Sequence, residues 1–201
     1  MQVRQRVRGG NSLQVSYTLS RTLLDLNDGR RRSTFFNNNG YNADDTRHNL
    51  TASMSTELPW QSQLSVITQL VSGYPKNANS GLDLDGDGAS NDRAPGLPVT
   101  VGRGDAKEDL RIINEFRAAR SLAPFTMDVL KLYPFKSINV RATKSVPFSA
   151  GRRVEVFLEA FNVTNFVNRT GGGTNIRLAT FGIPTGAGDA RQLQWGARFS
   201  F

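Results

Sequence analysis

The chain has no cysteine, so disulfides and thiolate metal sites are excluded, and cysteine usage says nothing about a redox compartment. Histidine occurs once, at His48, and a lone imidazole makes neither a metal site nor a catalytic triad. No apolar run approaches the ~18 residues of a membrane helix. The strings G-x-S-x-G, H-E-x-x-H and the P-loop are all missing, so no familiar catalytic device is present and an enzyme is not expected. The opening MQVRQRVRGG lacks the apolar stretch of a secretory signal. What the chain does have is charge: a formal net +8 and a pI near 10.4, which raise the question of nucleic acid. The basic residues are scattered, however, apart from Arg30, Arg31 and Arg32, with no basic helix and no aromatic-interleaved RNA signature. A nucleic-acid partner is therefore not expected. A hydrophobic fraction of 38% and a mean hydropathy of -0.40 suit a soluble domain, and equally a membrane strand that is only half apolar.

The last eleven residues, RQLQWGARFSF, raise the choice between these two, which the rest of the chain decides. Leu193, Trp195, Ala197, Phe199 and Phe201 share one parity; Gln192, Gln194, Gly196, Arg198 and Ser200 share the other. This is the period-two pattern of a strand with one wholly apolar face, and about 10 residues suit a tilted bilayer crossing. The spacing of Gln194, Gly196, Phe199 and Phe201 resembles the C-terminal signal read by the barrel-assembly machinery of outer membranes. A terminal strand of a soluble sandwich would show the same stripe.

Taken in order, the chain yields seven alternating segments. Residues 2 to 8 alternate weakly into Gly9-Gly10-Asn11, and Leu13, Val15, Tyr17 and Leu19 then oppose Gln14, Ser16, Thr18 and Ser20. After a polar stretch over 25–45 comes a strand over about 46–58, a turn at Pro59-Trp60-Gln61, and a further strand to about Val71. Residues 72–134 are irregular except where Asp105 and Glu108 suggest a capping box. That box opens an amphipathic helix to about Arg120, with Leu110, Ile113, Phe116 and Arg117. Ile138, Val140, Ala142 and Val146 mark the next strand, a turn follows at Ser149-Ala150-Gly151, and Val154, Val156, Leu158 and Ala160 mark the sixth. A Gly-rich stretch leads to the seventh. Short turns near 9–11, 59–61 and 148–151 alternate strictly with long loops near 25–45, 72–134 and 164–190. Short turns on one rim and long loops on the other are the outer-membrane barrel pattern, and Trp60, Phe148 and Phe201 fall where an aromatic girdle sits on the short-turn rim. Arg21 and Lys144 fall on the lipid-facing parity, near enough to the interfaces that each costs about 0–1 kcal/mol.

Arg152-Arg153-Val154-Glu155 running through Phe157-Leu158-Glu159-Ala160-Phe161-Asn162-Val163-Thr164-Asn165-Phe166 resembles the "EAFNLFN" segment near the end of TonB-dependent outer-membrane receptors. The nearest branch is the Oar-like group with an N-terminal carboxypeptidase-regulatory-like domain. Asp44-Asp45-Thr46-Arg47-His48 is similar to that group too, as are Phe181-Gly182 and Gly188-Asp189-Ala190-Arg191-Gln192. The resemblance implies a barrel of about twenty-two strands with a plug, energised through TonB and located in the outer membrane. Seven strands alone would leave two unpaired edges, which lipid does not tolerate, so residues 1–201 are expected to be the C-terminal barrel segment of a longer receptor.

The sharpest local motif is DLDGDGASND. Asp83, Asp85 and Asp87 alternate, Gly88 supplies a turn, and Asp92 with Asn91 and the Ala89 carbonyl could complete an oxygen cage for Ca²⁺. The closing bidentate Glu of an EF-hand is replaced by Ala94, and an acidic Gly-rich turn is the plain alternative. Arg103-Gly104-Asp105 spells an adhesion tripeptide, read as coincidence because Asp105 caps a helix. Arg30 to Arg32 could meet lipopolysaccharide phosphates. Asn139, Arg141, Arg153, Glu155, Glu159, Gln194 and Arg198 are expected to face the lumen and meet the plug or a nutrient such as a siderophore or carbohydrate. The expected fold is thus all-β, an antiparallel meander of about seven transmembrane strands with one short helix in an extracellular loop. The alternative is a small autonomous or oligomeric outer-membrane barrel with an adhesive or structural role.

Overall fold

A computed structural model describes residues 2–7, 10–25, 39–149 and 151–201. Seven strands build one sheet: β1 (Gln2–Val7), β2 (Asn11–Leu19), β3 (His48–Leu58), β4 (Ser62–Val71), β5 (Phe135–Ser149), β6 (Arg152–Phe161) and β7 (Gln192–Ser200). They lie in chain order, each antiparallel to its neighbours, so the sheet is an uncrossed meander. Among the described residues β1 pairs only with β2, and β7 only with β6, so the sheet is open at both ends.

The period-two sequence fixes the register, because a slip of one residue would move every side chain to the other face. Leu13, Met54, Val66, Val140, Ala160 and Leu193 stand side by side across six strands on the apolar face. Ser12, Ser55, Ser65, Arg141, Glu159 and Gln194 form the matching row on the polar face. The turn between β3 and β4 holds Trp60 and Gln61 at φ 60° and 58°, left-handed conformations that side chains other than Gly adopt at a cost. The adjoining strand helps to hold that turn: Ser145 N donates to Gln61 O at 2.9 Å and the Lys144 ammonium donates to Trp60 O.

No described residue of the seven strands is buried. The hydrophobic core lies instead in the long connections, which pack on one another beyond one end of the sheet. Helix α1 (Ala106–Ala118) contributes Ile113 and Phe116, and they meet Ala78, Ala94, Leu97, Val101, Leu130, Ile176 and Phe181. Three two-stranded ladders brace these connections: Leu23–Asp25 with Asn39–Tyr41, Lys76–Asn77 with Thr100–Val101, and Arg169–Thr170 with Gly186–Ala187. Asp105 caps α1 as expected, accepting from Lys107 N and Glu108 N at 3.1 Å each. The Glu108 side chain instead pairs with Arg111, which also reaches Glu115 one turn on.

Candidate functional site

The polar face carries a connected set of charges because its residues are cross-strand neighbours. Arg141 on β5 donates to Glu159 on β6 at 2.9 Å and lies 3.8 Å from Glu155. Gln194 on β7 donates to the other oxygen of Glu159. The Arg141 guanidinium also sits 4.4 Å from the centre of the Phe157 ring. Phe157 in turn lies across Gly196: a Cβ added there would fall 2.5 Å from the ring. Gly196, expected from its spacing to serve an assembly signal, is thus also the seat of an aromatic ring.

Asn139 sits at the long-connection end, where its side-chain oxygen accepts from Asn162 N at 2.9 Å and fastens the exit of β6. Arg153 and Arg198 lie toward the opposite end, facing Ser200 and Glu155 across the strands, and both are exposed. The residues expected on one face therefore do share it, but only Arg141, Glu155, Glu159 and Gln194 form a contiguous cluster.

Two clefts open where this face meets the long connections. The upper, of about 400 Å³, runs between Tyr74, Lys76, Tyr133, Arg169 and the Gly171–Gly173 backbone. The lower, of about 290 Å³, is lined by Ser137, Asn139, Phe161, Asp189 and Gln192. Phe135 and Asn168 belong to both. Asn168 is buried and clamps the start of β5, accepting from Lys136 N and donating to Lys136 O, each at 2.8 Å. Lys76 donates to Val129 O at 2.7 Å and Gly182 O at 2.8 Å, and burial pulls its pKa below the usual lysine value.

In the acidic loop, carboxylate oxygens of Asp83, Asp85 and Asp92 come within 4.8 Å of one another. Asp87 stands outside that group and accepts from Ala89 N at 2.8 Å. Backbone amides hold the cluster in shape: Gly86 N and Gly88 N donate to Asp83, and Leu84 N and Asp85 N donate to Asp92. Hard oxygen donors on a turning loop suit Ca²⁺. Ala94, at the position where an EF-hand closes with Glu, is fully buried in the core, so the loop is anchored there by packing.

The other singled-out residues take structural roles or fall outside the description. Arg103 of the Arg-Gly-Asp string lies 3.3 Å from the buried Asp45 carboxylate and donates to the Asp45 and Gly73 carbonyls. His48 is hydrogen-bonded to the Tyr17 hydroxyl at 2.8 Å. Arg30, Arg31 and Arg32 lie outside the described residues.

Sequence reasoning did not find Lys76, Asp45, Asn162, Asn168 or the clefts as joints of the long connections. Each of these residues has a partner some two dozen residues or more away, Asn162 bonding Phe166 four residues on as well, and no local period marks them. Arg117 gave a partial signal by falling on the buried stripe of α1. Its guanidinium donates to Ala123 O at 2.7 Å and Ile176 O at 2.5 Å, and lies 3.7 Å over the Phe125 ring.

The apolar face is what a membrane surface requires: Leu193, Trp195 and Phe199 are 68%, 81% and 66% exposed, on the same side as the exposed Leu13, Met54 and Leu158. A family model described as an outer membrane beta barrel domain matches residues 1–194. The chain belongs to that family. No curated protein and no solved structure matches the chain. Among the described residues no helix is long and apolar enough to cross a membrane, and in this family the strands do so. The protein is therefore located in the outer membrane, with short turns on the periplasmic side and long connections outside. Trp60, 83% exposed, and Phe148 stand at the periplasmic rim where aromatic girdles lie. Lys144, on the apolar face, reaches down to the Trp60 carbonyl at that rim. Arg21 lies beyond the end of β2, with its guanidinium 5.5 Å over Tyr41.

Proposed function

We propose that residues 1–201 are the C-terminal barrel segment of a TonB-dependent receptor of the Oar-like, carboxypeptidase-regulatory-like group, serving energised uptake of a nutrient such as a siderophore or carbohydrate. The observation that carries this reading is the open seven-stranded meander joined to folded extracellular connections. Among the described residues the outer edges of β1 and β7 have no partner strand, and open edges are costly in lipid, so on this reading further strands complete the wall. On this reading the polar face lines the lumen, and the Arg141–Glu155–Glu159–Gln194 cluster offers paired donors and acceptors to a plug. The protein is not an enzyme; its partners are outer-membrane lipid and lipopolysaccharide, the barrel-assembly machinery acting on β7, and TonB acting through the plug.

The test is solute accumulation by producing cells with and without TonB, together with the size of the barrel extracted from their outer membranes. Accumulation that stops without TonB, in a barrel of one long polypeptide, supports the receptor. A detergent-resistant assembly made only of copies of these 201 residues would instead support the autonomous or oligomeric barrel with an adhesive role.

A further inference from the structure

We propose that the upper cleft binds a small anionic ligand bearing a flat ring, the ring held by Tyr74 and Tyr133 and the anion by Arg169. As the capture point for an imported solute this rests on the receptor reading above; as a binding site it stands on its own geometry.

A volume of about 400 Å³ falls within the usual range for small-molecule sites. Charge sets the class of ligand. Among the described residues lining the cleft there are two cations, Lys76 and Arg169, and no Asp or Glu. The one acid lining the neighbouring lower cleft, Asp189, is not part of this cleft's lining. A concave site lined by one sign of charge concentrates ligands of the other.

The two cations do different work. Lys76 is committed to the fold through the Val129 and Gly182 carbonyls. Gly182 must be glycine for this, since a Cβ there would fall 2.1 Å from Val129 O and 3.1 Å from the Lys76 nitrogen. Arg169 is exposed, and among the described residues no carboxylate lies within ion-pair distance of it. Its guanidinium lies 5.7 Å from the centre of the Tyr133 ring, and Lys76 lies 5.3 Å from the same ring. Both cations of the cleft thus sit within reach of the Tyr133 ring, and among the described residues Arg169 is the one not tied to the fold by backbone carbonyls. A planar guanidinium fork also matches a carboxylate or phosphate in two parallel hydrogen bonds.

Shape supplies the ring. Tyr74 is 54% exposed at the cleft. Part of the lining is bare backbone: side chains at Gly171 and Gly173 would collide with Thr185 and Thr180, at 2.3 and 2.7 Å. Two tyrosines and a stretch of bare backbone thus line one cleft, a lining that suits a flat ring.

The experiment uses the full-length receptor purified in detergent, with fluorescent 2-naphthoate as the probe and 2-naphthalenemethanol as its uncharged counterpart. At low salt the naphthoate should bind on the order of tenfold more tightly than the alcohol. Arg169→Gln should abolish that preference while leaving alcohol binding unchanged, and Arg169→Lys should restore part of it. Tyr74→Ala should weaken both probes. Equal binding of the two probes by the native protein, or an unchanged preference in Arg169→Gln with native heat-modifiability, would overturn the proposal. Failure of this site and failure of the receptor reading are separable: probe discrimination with TonB-independent accumulation sinks only the receptor, and the converse sinks only the cleft.

Discussion

Replacing Leu158 by Arg tests the assignment of the two faces most directly, because the next cross-strand pair, Glu159–Gln194, offers a matched control on the opposite face one residue away. Val154 pairs with Phe199 near the periplasmic rim, and Leu158 pairs with Trp195 four residues further along β6. At about 3.3 Å per residue and a tilt of about 40°, Leu158 stands about 10 Å above that rim, close to the middle of a band about 25 Å tall. An arginine there costs about 2–4 kcal/mol. The native cation on this face, Lys144, pairs with Val156, about 5 Å from the rim by the same count, and it bonds to the Trp60 carbonyl. Gln194→Arg, on the polar face beside Glu159, should cost less than about 1 kcal/mol. Urea titration of the protein refolded into phospholipid vesicles measures both, and outer-membrane abundance in cells provides a second readout. Equal midpoints for the two variants would refute the facing, and a larger loss for Gln194→Arg would invert it.

Arg117→Ala should leave the strands intact but loosen the extracellular connections by about 2–4 kcal/mol, since a charge-assisted bond to the buried Ile176 carbonyl is lost. Faster protease cleavage between residues 72 and 190 in intact cells, with unchanged heat-modifiability, is the expected result. Gly196→Ala should displace the Phe157 ring and cost about 1 kcal/mol in the urea titration, while the double variant with Phe157→Ala should lose less than the two separate effects summed. Burial, with help from the nearby Asp105 and Glu108 charges, raises the Asp109 carboxyl above its ordinary value of 3.8, against the Gly102 amide bond that lowers it. The folded state then holds this proton more tightly than the unfolded state, so stability falls as pH rises from about 4 through the raised value. Asp109→Asn should remove that fall, seen as protease resistance of the extracellular connections that no longer declines over this interval. For the acidic loop, millimolar Ca²⁺ should slow proteolysis between Asp83 and Asp92, and Asp83→Asn with Asp92→Asn should abolish the effect. Identical cleavage with and without Ca²⁺ would remove the ion from this loop.

How much was legible in the sequence follows from the reach of each interaction. A strand advertises itself locally, because its two faces meet two different surroundings and alternate side chains must differ. Leu193 to Phe199 and Leu13 to Leu19 therefore announced their strands, their apolar face and, through the strict order of short and long connections, the meander. The bilayer reinforced this pattern by demanding apolar side chains along a face whose Leu193, Trp195 and Phe199 stay exposed among the described residues. The capping of α1 by Asp105 was legible for the same reason, since cap and amides lie within three residues.

The extracellular connections carry no such period. Their core is assembled from single residues such as Ala94, Ile113, Ile176 and Phe181, which meet only after the chain has folded back across the sheet. Asp45–Arg103, Lys76–Gly182 and Arg117–Ile176 join positions 58, 106 and 59 residues apart. Ala94 shows the difference well. In the sequence it was a missing ligand of a calcium loop; in the structure it is a buried methyl that pins that loop to the core. The sequence by itself determined the strands, their facing and the membrane they cross, because lipid reads one side chain at a time. Only tertiary structure decided the clefts, because a cavity is bounded by residues that share nothing until the backbone brings them together.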